Sequence, residues 1–160
     1  MLKEVKRVLV PVDFSDNSQK VFTAAVNVAK KFGAELVCVF VVQSFEDYEG
    51  FFVPYMPIVQ FHDELQASAK KKMAHFMKDN LPHDLVGRST VLVGDVGEEI
   101  VAFAADEQID LIVMGTHGYK GLDRVLFGSV AAQVVKTAPC PVLTVNPCPE
   151  RRHSGLLLVV

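Results

Sequence analysis

The sequence predicts an α/β domain in which five parallel strands carry helices on both faces in a single Rossmann-like layer. Two observations lead there. Apolar runs of strand length (Val8 to Val12, Glu35 to Val42, Leu111 to Met114, Val142 to Val145) are nearly unbroken, as in a parallel sheet covered on both sides. Between such runs stand segments whose apolar residues recur at helical spacing. A run as short as Leu111 to Met114 would also fit a buried helix. The glycine-rich turn Gly115-Thr116-His117-Gly118 behind it favours the strand.

The first strand contains Pro11, tolerable near a strand end and awkward in its middle, and Asp13 follows at its carboxyl tip. Ser15 then reads as the N-cap of a helix with apolar positions Val21, Ala25, Val28 and Phe32, stopped by Gly33. After the second strand, residues 44 to 58 fit neither period. Their aromatics, Phe45, Tyr48, Phe51, Phe52 and Tyr55, form either a lid or binding surface, or simple packing over the domain edge. Phe61, Leu65, Ala69, Met73 and Phe76 mark one face of the second helix, with Lys70, Lys71 and Lys72 on its solvated side and Leu81-Pro82 at its end. Ser89 to Val93 gives a third strand, and Gly97 to Gln108 a third helix through Ile100, Phe103 and Ala104. The fourth helix opens at Gly128-Ser129 and runs to about Thr137, before Pro139 and Pro141 lead into the last strand. Residues 1–146 make the domain and 147–160 a tail, whose end, Leu156 to Val160, either adds a strand at a sheet edge or lies disordered.

With 160 residues, half of them hydrophobic, the chain suits one domain with a sizeable core. A net charge of −3 gives no basic footprint, so neither nucleic acid nor an acidic membrane surface is expected as principal partner. The amino terminus carries four charges before its apolar run, unlike a secretory signal, and no stretch approaches the roughly 20 apolar residues of a spanning helix, so a cytoplasmic protein is expected. Cys38, Cys140 and Cys148 lack the number for a disulfide framework and the spacing for zinc. Likewise His62, His75, His83, His117 and His153 show no paired ligand spacing.

If the strand order is 3-2-1-4-5, the first and fourth strands are neighbours, and the topological switch falls between their carboxyl ends, where a ligand is expected. Asp13 and Gly115 end those strands and would face one crevice, although about a hundred positions separate them. A strand, a glycine loop and a helix start make room for phosphate: glycine lets the backbone approach an anion, and the N–H groups of the first helical turn point at it. Ser129 would either cap its helix or donate to a phosphate oxygen. Gly115 and Gly118 taken alone would equally make plain turns. Lys120 and Arg124 would reach a triphosphate tail or stand exposed, and His117 would touch phosphate or be merely tolerated. No GxxxxGK[ST] loop, GxGxxG after a strand or GxSxG elbow is present, which removes support from ordinary P-loop, dinucleotide and hydrolase readings.

The spacing Gly115-x2-Gly118-x9-Gly128-Ser129 after a strand ending VMG resembles the nucleotide-binding signature of the universal stress protein family. The likeness extends from the opening RVLVPVDFS to VAAQVVKTAPCPVLTV, up to about Asn146. It implies an ATP-binding member: Asp13 for the adenosine, Val41 for the adenine pocket, and Met114, Gly115, Gly118, Gly128, Ser129 and Val130 around ribose and phosphates. Asp13 would otherwise only help cap the helix that begins near Ser15. Magnesium or manganese would be held through the phosphates. The likeness also implies a homodimer paired through the last strand, with the apolar edge Val142 to Val145. No nucleophile beside a base is visible, so the expected role is a nucleotide-responsive module with at most slow ATP hydrolysis or self-phosphorylation. A slow ATPase or nucleotidyl-transfer enzyme of the same fold, and a nucleotide-free dimeric interaction protein, are the alternatives; the retained glycines argue against the second.

Overall fold

The computed structural model describes residues 4–44, 58–116, 128–147 and 156–159. Its strands are β1 (Arg7–Pro11), β2 (Glu35–Gln43), β3 (Gly87–Gly94), β4 (Leu111–Gly115), β5 (Val142–Val145) and β6 (Leu156–Val159). They form one sheet of order β3-β2-β1-β4-β5-β6. The first five are parallel in the expected order, and β6 lies antiparallel on β5. The aromatic segment 45–57 and the glycine loop 117–127, with His117, Gly118, Lys120 and Arg124, lie outside the described residues.

Alternation along each strand divides the core in two. Val8, Val10, Leu36, Cys38, Leu111 and Val113 face α1 (Asp16–Phe32) and α2 (Ile58–Asn80). Leu9, Val37, Val39, Ile112 and Met114 face α3 (Val96–Asp106) and α4 (Ser129–Thr137). Burial pushes the Cys38 thiol far above its usual range, as befits a small apolar filler of the first layer.

Local signals fix the helix ends. Ser15 is the N-cap of α1, its side chain accepting from Ser18 N–H, and Gly33 ends the helix in the left-handed region at φ 64°. For α3 the cap is Asp95, which accepts from Glu98 N–H, so the helix begins one residue before the expected Gly97. It also stops short of Gln108, whose φ of 51° has left the helical region.

At the amino ends of the strands a polar clamp ties the layers together. Asp110 accepts from the main-chain N–H groups of Lys6 and Arg7, while Arg88 bridges Glu35 at 3.0 Å and Glu107 at 2.7 Å. This cluster lies at the opposite end of the sheet from Asp13 and Gly115.

The edge Val142 to Val145, expected to be open to a second copy, is filled by the chain itself. β6 pairs along all four of its residues. Of the two courses open to the tail, the structure takes the added strand, because an apolar edge left bare would expose unpaired main-chain groups. No helix among the described residues is long and apolar enough to cross a membrane.

Candidate functional site

Main-chain direction alternates along a strand as side chains do, and here it decides what the carboxyl rim presents. In β1, Lys6 C=O accepts from Glu35 N–H, and Val12 N–H donates to Val39 C=O, so even-numbered residues turn their main chain to β2. Odd-numbered residues turn theirs to β4, as Arg7 C=O does in accepting from Asp110 N–H. Pro11 is odd. Its missing donor therefore lies on the β4 side, and the β1–β4 ladder covers only Val8 and Leu9, against five residues for β1–β2. The β1–β4 ladder ends at Leu9, and the switch point lies just above it.

Three stretches border that point. In β2, Val39 turns its carbonyl to β1, so Val41, two residues on, presents its main chain to the same side, above the level where β1 has ended. Its side chain is buried in the α3/α4 layer. In β4, Ile112 and Thr116 donate to Pro141 and Val145 of the β5 side, which turns Gly115 toward the crevice. Met114 has the parity of Ile112: its main chain faces β5 and its side chain is buried at 5% exposure, leaving it as support beneath the rim.

Asp13 stands level with Thr116 when the β1–β4 register, Leu9 opposite Ile112, is extended four residues. Its Oδ1 accepts from Ser15 N–H at 3.0 Å and from the hydroxyls of Ser15 and Ser18, while its own N–H donates to Ser18 Oγ at 2.7 Å. The capping role foreseen for Asp13 is thus present one step removed, since Ser15 caps α1 and Asp13 holds Ser15. Between them Phe14 sits in the left-handed region at φ 63°, a strained position for a bulky residue. The polar network on either side and ring packing on Phe40 (centroids 4.6 Å apart) and Phe76 (5.9 Å) hold it there. Phe14→Ala should therefore destabilise by about 2 kcal/mol through lost packing, whereas Phe14→Gly, relieved of the strain, should recover about 1 kcal/mol of that. Urea unfolding checks the order; alanine more stable than glycine would contradict it.

The chain returns to the rim at Gly128, whose N–H donates to Thr116 C=O at 2.7 Å and so closes the base of the glycine loop. Gly128, not Ser129, is the N-cap of α4, and no side-chain cap bond is made there. That settles one of the two roles open to Ser129: it is the first helical residue and exposed. α1 and α3, which start at the same rim, are both capped by side chains. The N–H groups of the first turn of α4, with the positive end of its dipole, therefore face the rim uncapped by any side chain among the described residues. Val130 is half-buried against the α3/α4 layer.

These features fit a nucleotide: main chain of Val41 on one side, Gly115 opposite, a carboxylate at Asp13 and an anion-attracting helix end at Gly128. Among the described residues no cluster of His, Cys, Asp or Glu could hold a metal ion. A divalent ion would accordingly lean on phosphate oxygens. Neither described cysteine is poised as a thiolate: burial raises Cys38, and burial, with Asp110 nearby, pushes Cys140 up to about 11.

The model of the universal stress protein family matches residues 4–146. The chain belongs to that family. This universal stress protein is 36% identical over 145 residues to a universal stress protein of Methanocaldococcus jannaschii, covering 88% of the chain and 82% of the relative. Universal stress protein UspA from Lactobacillus plantarum superposes with a TM-score of 0.73 at 29% identity, over 90% of this chain and 99% of that one. A universal stress protein from Archaeoglobus fulgidus, solved in complex with dAMP, has the same fold at a TM-score of 0.63 and 23% identity, over 89% and 98% of the two chains.

Proposed function

We propose that this universal stress protein binds an adenine nucleotide, ATP in the first place, in the crevice between the carboxyl ends of β1 and β4, and that the bound state is its signal. The observation that carries this reading is the start of α4: of the three helices at this rim whose N-caps are described, it is the one with no side-chain cap, and a glycine holds the position. In this reading the phosphates lie against the first turn of α4 and the glycine loop, with Ser129 donating its hydroxyl. The adenine lies beside Val41, whose main-chain N–H and C=O can match the donor and acceptor edge of the base. Asp13 takes a ribose hydroxyl, and Gly115 leaves room for the sugar. A cation among the phosphates would supply charge neutralisation, since the chain's own −3 does not.

Binding rather than turnover is the proposed role, because the hydroxyls that meet a carboxylate among the described residues of the rim, Ser15 and Ser18 on Asp13, are engaged in holding the start of α1. The test is mass spectrometry of whatever is released, on denaturation, from protein purified without added nucleotide. Near-stoichiometric ATP supports the reading. A protein that neither carries nor takes up adenine nucleotide at millimolar concentration would be the nucleotide-free interaction protein instead.

A further inference from the structure

Since α4 starts without a side-chain cap, the direction of its first-turn amides is set by what the helix leans on. On the sheet side that is Thr116, whose carbonyl accepts from Gly128 N–H at 2.7 Å. On the other side it is α3, which packs alongside and starts at the same rim. Gln133, half-buried and one turn into α4, reaches across to it. A long side chain on a helix leans back toward the N-terminus, so this one lies near the level of Ser129. Its carboxamide rests on Gly97, buried in the first turn of α3: a Cβ at Gly97 would come within 2.5 Å of Gln133 Cδ and 3.0 Å of Nε2. The backbone does not ask for glycine here, because Gly97 is helical and alanine would favour the helix. What a methyl would take away is the room for the carboxamide.

We infer that Gly97 and Gln133 are a positioning pair for the phosphate end of the site: the notch left by the missing side chain seats the carboxamide, and that seat fixes the start of α4 against α3. The inference rests on the reading of the crevice as an adenine-nucleotide site. Neither residue is asked to touch the ligand. They act through the amides of the first turn of α4, whose hydrogen bonds to phosphate weaken steeply as they are turned off line. A displaced Gln133 either wedges the two helices apart or swings into solvent and leaves α4 without its second support. Both turn the amides away from the phosphates, and neither reaches the nucleoside end at Val41 and Asp13.

The test is titration calorimetry of the full chain with ATP, and with adenosine by its competition against ATP, on the parent, Gly97→Ala, Gln133→Ala and the double variant, with thermal unfolding of each. Gly97→Ala should bind ATP about tenfold more weakly, while its adenosine affinity and its Tm stay at or above the parent's. Gln133→Ala, which empties the notch, should lose less. In the double variant the new methyl has the space that the carboxamide held, so ATP affinity should return to within about threefold of the parent's. A packing role alone would lower Tm, or lower ATP and adenosine binding together, and either result overturns the inference. So does a Gly97→Ala protein that binds ATP like the parent, or a double variant that binds no better than Gly97→Ala. A parent that takes up no adenine nucleotide brings down the reading of the crevice itself, and the pair's role with it.

Discussion

Asp13→Ala is expected to lower folding stability by roughly 2–3 kcal/mol and to remove most nucleotide affinity in the same protein. The stability loss follows from the three hydrogen bonds that Oδ1 accepts, two of which hold Ser15, the N-cap of α1. The affinity loss follows if the carboxylate also reaches the nucleoside. Two companion variants separate these effects. Asp13→Asn keeps an acceptor at Oδ1 and should cost about 1 kcal/mol in stability, yet lose affinity out of proportion if the carboxylate touches the ligand. Ser18→Ala removes two bonds of the network and leaves the carboxylate, so its affinity should fall only as far as the backbone at Phe14 loosens. Urea midpoints and titration calorimetry with ATP read the two effects separately. Full stability in Asp13→Ala would contradict the network, and full affinity in Asp13→Asn would relegate the carboxylate to capping.

Gly128→Val should weaken ATP binding on the order of 100-fold, about 3 kcal/mol, while changing stability by less than about 1 kcal/mol. The backbone there, φ −57° and ψ 155°, is one that any residue adopts. A Cβ would meet Thr116 O at 3.4 Å, an ordinary contact, so the fold accepts a side chain. What the branched side chain obstructs is the approach to the first turn of α4 and the close passage of a phosphate. Gly128→Ala should fall between the two. A valine variant that binds ATP like the parent would remove α4 from the site.

Much of this architecture is legible in the sequence where the signal is local. Ser15 and Gly33 bracket α1 because a hydroxyl and a missing Cβ act within one turn, and the bounds of β5 are set by Pro141 and the apolar run after it. The parallel α/β class comes from the alternation of elements, whereas the order of the strands entered as a condition, since the same alternation fits other orders. What the pattern could not carry is direction. In strands apolar on both faces no alternation marks the phase, so nothing in LIVMG or ELVCVFVV tells that Gly115 and Val41 turn their main chain to the crevice while Met114 turns away. The bonds between Asp13 and Ser18 and the left-handed Phe14 were hidden too, because they depend on how the chain leaves β1. The course of Leu156 to Val159 was open since a short apolar run at a terminus has no periodicity to betray its partner.

A proline on the β4-facing side of β1 has one more consequence. Because Pro11 has no N–H, β1 cannot donate to β4 at that level, and that rung of the ladder above Leu9 is missing on covalent grounds. In the proposed reading that missing rung lies on the way in for a nucleoside. Pro11→Val, by restoring the lost amide, should add that rung and slow nucleotide association, which stopped-flow binding would read.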